Sequence, residues 1–124
     1  MTSGVYQLLL RLPRPRTMQI GRLGRFTFPA GWYVYTGSAL NGLEARIARH
    51  LRRKKRLHWH IDYLLQQAEI EAVFIYPTQE REECARNAEV LAQPGARIIA
   101  PRFGASDCRC PAHLVYLGNR GEKS

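Results

Sequence analysis

The sequence predicts an α+β domain, a small and mostly antiparallel sheet with three helices packed against it. Three observations carry this. Apolar runs with a period of two recur along the chain, two short runs flank a glycine-rich turn as a hairpin does, and three stretches carry helical spacing between the strands. The order strand, hairpin, strand, helix, helix, strand, helix, strand is that of an α+β layout. At 124 residues the chain suits one domain, 1–124, with enough length to bury a core.

Gly4 to Leu12 reads as the first strand, with Tyr6, Leu8 and Leu10 on one face and Val5, Gln7 and Leu9 on the other. Its nearly continuous apolarity predicts a central place in the sheet. Pro13 and Pro15 break it. Thr17 to Ile20 and Arg25 to Phe28 form the hairpin around Gly21 to Gly24. Trp32 to Tyr35 is the next strand, where Tyr33 and Tyr35 alternate with Val34 and both phenols face one way.

Beyond Thr36 to Gly42 the pattern becomes helical. Leu43, Ile47 and Leu51 are spaced as a buried stripe, with Arg46 and His50 four apart beside it. Phenols at the strand end, a guanidinium and an imidazole thus converge near one loop, a set able to grip a phosphate and move a proton. The run Arg49, Arg52, Arg53, Lys54, Lys55 and Arg56 is the densest in positive charge and reads as a track for a nucleic-acid backbone.

A second helix opens at His58. Trp59 and Tyr63 follow one side and Ile61, Leu64 and Leu65 another. His58 and Asp62, four apart, suit a helix pair, a metal pair or an oriented acid–base group, and His58 or His60 is expected to face the groove while Trp59 fills the core. Glu69 to Tyr76 reads as a largely buried strand. The third helix is expected from a Thr78 N-cap to about Gln93, stopped by Pro94 and Gly95 and burying Cys84, Ala88 and Leu91. A short final strand spans Leu114 to Leu117, and Asn119 to Ser124 is expected to fray.

Nineteen Lys and Arg against ten Asp and Glu give a net charge of +9, which favours a polyanionic partner. Arginine dominates these cations and can bind phosphate with two parallel hydrogen bonds. No apolar run is long enough to span a bilayer, and the first residues lack the basic and apolar regions of a secretory signal, so a cytoplasmic protein without membrane attachment is expected. Three cysteines, an odd number, argue against a disulfide framework and are read as reduced. Cys108, Cys110 and His113, with the distant Cys84, offer four zinc ligands, but their spacing is not a common zinc-finger pattern. The expectation is buried thiols with His113 capping the loop and no stoichiometric zinc.

The segments Gly4-Val5-Tyr6, Tyr35-Thr36-Gly37-Ser38-Ala39, Leu43-Glu44-Ala45-Arg46 and Arg49-His50 resemble the GIY-YIG endonuclease superfamily. His58 to Leu65 and Phe103 to Leu114 resemble its Uri-type branch, so the likeness covers nearly the whole chain. The resemblance implies a GIY-YIG-like fold and a metal-dependent endonuclease that hydrolyses DNA phosphodiesters with Mg2+ or Mn2+. Carried over, Tyr6 and Tyr35 would position and deprotonate the attacking water, Arg46 would hold the scissile phosphate, and His50 would assist proton transfer. A carboxylate among Glu80, Glu82 and Glu83 would hold the metal, with Glu83 chosen and Glu80 next. Arg49, Arg52, Arg53, Lys54, Lys55, His58 and His60 would contact nucleic acid, most naturally DNA.

The chain departs from the family pattern in three respects. A longer segment separates Tyr6 from Tyr35, Thr36 stands where an aliphatic residue is usual, and the late asparagine has no clear counterpart. Two rival readings are a noncatalytic nucleic-acid-binding module and a small zinc-binding protein.

Overall fold

The computed structural model describes residues 3–39, 42–52, 55–105 and 108–119. Six strands and three helices follow in the order β1 (Gly4–Leu12), β2 (Arg16–Ile20), β3 (Gly24–Phe28), β4 (Gly31–Ala39), α1 (Leu43–Leu51), α2 (His60–Leu64), β5 (Glu69–Pro77), α3 (Glu83–Leu91) and β6 (Leu114–Gly118). The α+β expectation with three helices holds. No helix among the described residues is long and apolar enough to cross a membrane.

The main sheet has the strand order β5-β1-β4-β6, antiparallel throughout. β1 is central, as its apolarity predicts, and Tyr6, Leu8, Leu10 and Leu12 are buried on its core face. The β2–β3 hairpin forms where expected but is a separate two-stranded sheet. Its Ile20 and Phe28 reach into the common core with Ile61 and Leu64 of α2.

Four expectations are corrected. Leu51 is 55% exposed, and His50 takes its place in the buried stripe with Leu43 and Ile47. At 3.6 residues per turn, His50 lies about 20° around the helix from Leu43 and Leu51 about 80°. β5 is an edge strand rather than a largely buried one, and Phe74 and Ile75 are 47% and 49% exposed. Its composition suits a buried strand, but an edge position leaves much of it uncovered.

α2 begins at His60 rather than His58, because Asp62 accepts the backbone N–H groups of His58 and Trp59 and turns the chain there. α3 begins at Glu83, with Glu82 rather than Thr78 at its N-cap, and it ends at Leu91. The buried residues of α3 are Asn87 and Val90, while Ala88 is exposed. A polar residue occupies the inner face because the Asn87 amide donates to Ala112 O, 2.5 Å away.

Candidate active site

β1 and β4 pair so that Tyr6 lies opposite Gly37 and Leu8 opposite Tyr35. The Tyr6 ring lies directly across Gly37, where an added Cβ would stand 2.6 Å from the phenol oxygen. Glycine is required there to admit the ring. A cavity of about 190 Å³ opens at this end of the sheet. Tyr6, Tyr35, Arg46, Glu83, His58 and His60 line it, together with Thr36, Gly37, Ser38, Trp59 and Gly104.

The Tyr6 hydroxyl and His50 Nε2 share a 2.6 Å hydrogen bond beneath the cavity. Burial drives the Tyr6 pKa above its ordinary value, although the nearby Arg46 charge opposes it. Burial also raises the Tyr35 pKa well above its ordinary value, with Tyr6 and Glu83 adding to the effect. His50 is pushed down to about 4 chiefly by burial; Asp62 pulls it up, and the cations Lys55, Arg49 and Arg46 push it down. At neutral pH the imidazole is therefore uncharged and the phenol keeps its proton. His50 Nδ1 is buried with no hydrogen-bond partner among the described residues.

Arg46 reaches the cavity from α1. Its Nη1 donates to Ser38 O at 2.9 Å, and its guanidinium covers the Trp59 ring at 4.6 Å. Across from it, Ser38 Oγ donates to Glu83 Oε1. Glu83 is the one carboxylate among the lining residues. Glu80 is exposed, and Glu82 pairs with Arg86 at 3.4 Å. A single carboxylate beside polar groups and open space fits a magnesium ion, which binds through oxygen and keeps most of its waters.

His60 Nδ1 accepts the Gly104 N–H at 2.8 Å, which turns the ring to the cavity wall, and burial lowers its pKa. Gly104 has φ +73, and a Cβ there would stand 3.1 Å from Tyr35.

Several expected contacts take another role. Tyr33 shares the core face of β4 with Tyr35 but lies outside the cavity lining: its hydroxyl donates to Pro29 O and its ring packs on Tyr116 at 4.8 Å. His58 lends Asp62 its backbone N–H, so the two side chains are not a pair. Arg49 makes two 2.9 Å hydrogen bonds to the fully buried Asp62 carboxylate. Burial alone would raise the Asp62 pKa, but Arg49 and the Trp59 and His58 N–H groups bring it below its ordinary value. Lys55 Nζ donates to the carbonyls of Arg49, His50 and Arg52 and closes the end of α1. Both cations are thus structural. Arg52 is exposed, and Arg53 and Lys54 lie outside the described residues.

Ser38 and Trp59 are functional candidates that sequence reasoning passed over. Ser38 follows the glycine at the strand exit, which is a readable signal. Trp59 packs partly buried against the core as expected, and it also lines the cavity with Arg46 and Arg49 over its ring.

Behind β4, the start of α3 and the loop before β6 bring Cys84, Cys108, Cys110 and His113 together, their ligand atoms all within 4.8 Å of one another. Cys84 and Cys110 form a disulfide, with Cα atoms 6.1 Å apart, and Cys108 is free. This corrects the expectation of three reduced cysteines. Residues 26 apart in sequence meet only once α3 has packed beside β4, and spacing alone could not reveal that.

Compared with protein-family models, residues 5–124 match the domain of unknown function DUF123. The chain belongs to the DUF123 family. No curated protein and no solved structure matches it. In this DUF123 protein the argument for function therefore rests on the cavity and the groups that line it.

Proposed function

We propose that this DUF123 protein is a divalent-metal-dependent DNA endonuclease of the GIY-YIG kind, working in the cytoplasm without membrane attachment. One observation carries the reading: Tyr6, Tyr35, Arg46 and Glu83 line one polar cavity, with neutral His50 hydrogen-bonded to the Tyr6 hydroxyl. The net charge of +9 supports a polyanionic substrate.

Phosphodiester hydrolysis needs a water that loses a proton as it attacks, and stabilisation of the charge that grows on the nonbridging oxygens. Tyr35 and Tyr6 orient the water. As Tyr6 takes the water's proton, it passes its own to His50 Nε2. His50 is a weak acceptor in the free protein, and the negative charge of a bound phosphate favours its protonated form. Arg46 meets the nonbridging oxygens, and a preorganised donor at growing charge raises rate rather than affinity alone. Glu83 would hold Mg2+ or Mn2+, which when bound supplies Lewis-acid stabilisation of the phosphoryl charge.

The raised pKa values of both tyrosines favour a second reading, a noncatalytic nucleic-acid-binding module. The test is single-turnover cleavage of a panel of branched and linear DNAs with magnesium, manganese or chelator. The nuclease reading expects metal-dependent cleavage by the parent and little by Tyr35→Phe, with melting temperature and DNA affinity retained. Binding without cleavage across the panel would assign the second reading. Parent-like rates in both Tyr35→Phe and Arg46→Ala would overturn the proposed mechanism.

A further inference from the structure

The Cys84, Cys108, Cys110 and His113 cluster adjoins the cavity through Glu83, whose Oε2 lies 3.8 Å from His113 Nδ1. His113 Nδ1 lies 2.9 Å from Thr36 O, an acceptor only, so this nitrogen carries the proton. Nε2 is left with its lone pair aimed at Cys108 Sγ, 3.2 Å away, and Cys84 Sγ, 3.7 Å away. A histidine held by a backbone carbonyl through one nitrogen, with the other directed into a group of thiols, is arranged as a metal ligand. Tetrahedral zinc with Zn–S near 2.3 Å and Zn–N near 2.05 Å sets sulfur and nitrogen about 3.6 Å apart. The two distances here lie on either side of that value.

We propose that, with its cysteines reduced, this protein binds one zinc ion through Cys84, Cys108, Cys110 and His113. This reverses the expectation drawn from spacing, because the fold supplies the fourth ligand and the orientation of the histidine. The Cys84–Cys110 bond and the zinc site exclude each other, since both use the same two sulfurs. A dithiol reductant opens the bond by giving up two electrons and forming its own disulfide. The resulting thiols, with Cys108, release their protons to solvent as they bind the ion. The Cα separation of 6.1 Å lets the two sulfurs move to about 3.8 Å apart by side-chain rotation, as tetrahedral ligands require.

Such a site would tie α3 to the loop before β6 and, through Thr36 O, to β4. Cys84 directly follows Glu83, so the ion would also fix the start of the helix that carries the cavity's carboxylate. The proposal stands apart from the nuclease reading, because zinc content is measured without any substrate.

The test is elemental analysis of protein prepared with a dithiol reductant and equimolar zinc, then dialysed against metal-free buffer. The expected result is one zinc per chain, with three thiols unreactive until the ion is released by a chelator. Cys108→Ser keeps the disulfide pair but removes a ligand, and it should retain at least tenfold less zinc. Should that variant fail to fold, cobalt(II) titration of the reduced parent decides: tetrahedral absorption with thiolate charge-transfer bands supports the site. An octahedral cobalt spectrum, or reduced parent protein that keeps its fold and holds no zinc, would overturn it.

Discussion

Arg46 and Arg49 stand three residues apart on α1 and cover the same Trp59 ring, at 4.6 and 4.4 Å. Both extend from one helix flank, yet their second partners differ. Arg46 meets a carbonyl at the cavity rim, and Arg49 meets a carboxylate that water does not reach. A cation that meets a backbone carbonyl and the Tyr6 phenol at the cavity keeps further donors for a ligand, whereas one paired bidentately to a buried acid has spent them on the fold. The difference teaches that a positive charge near a candidate site is classified by what it faces, not by how near it lies.

The largest expected effect tests the first half of this contrast. Arg46→Ala should lower cleavage by about 100- to 1,000-fold, as loss of one preorganised donor does. Its urea midpoint should barely move, and single-turnover kinetics on the same preparation separates the two effects.

Arg49→Ala should do the reverse, costing about 3 kcal/mol of stability. That is the low end for breaking a buried pair, because Arg49 is partly exposed and Asp62 keeps two backbone donors. Chemical denaturation checks it. A stable Arg49→Ala protein with greatly reduced cleavage would erase the distinction.

Acid should sharpen the contrast with a smaller effect. The folded pKa of Asp62 lies below its unfolded value, so its contribution is present above roughly pH 4 and disappears as pH falls through the folded value. Parent and Arg49→Ala should converge in that range. His50 acts at higher pH. Its folded value of about 4 lies below the ordinary 6.5, so the unfolded chain takes up the proton first, and stability falls as pH drops from 6.5 toward 4. His60 adds to the loss in the same direction. His50→Gln should flatten this limb in melts recorded across pH, and an unchanged profile would refute the assignment.

The smallest effect concerns the exposed cations. Replacing Arg52 and Arg56 with alanine should weaken DNA binding alike for all sequences and reduce the slope of log affinity against log salt by about 1–2. Titrations at several salt concentrations measure it, and an unchanged slope would move the backbone track elsewhere.

Much of the site was legible because its parts obey short periods. Tyr6 and Tyr35 follow strand alternation, and Arg46 and His50 follow helix spacing. Arg49 was misread because the group that decides its role, Asp62, sits beyond the basic run, and no local pattern joins them. The edge position of β5 escaped for a related reason: apolar composition reports that a strand packs, while sheet order decides how much of it is covered. The face of α3 was misjudged because Asn87 looks like a solvent residue until Ala112 O is brought beside it.

The central place of β1 bears on how this protein folds. Val5 pairs with Tyr76 on one side and Tyr6 with Gly37 on the other, while β4 in turn takes Tyr116 from near the end of the chain. Such distant pairings impose a loop-closure cost before they return any stabilisation, which slows folding. The cavity has no local precursor, since Tyr6, Arg46, Glu83 and Gly104 come from four separate stretches. A chain still emerging from the ribosome could hold both tyrosines and the α1 arginines and yet have no assembled cavity, which would be complete only after Gly104 has been added.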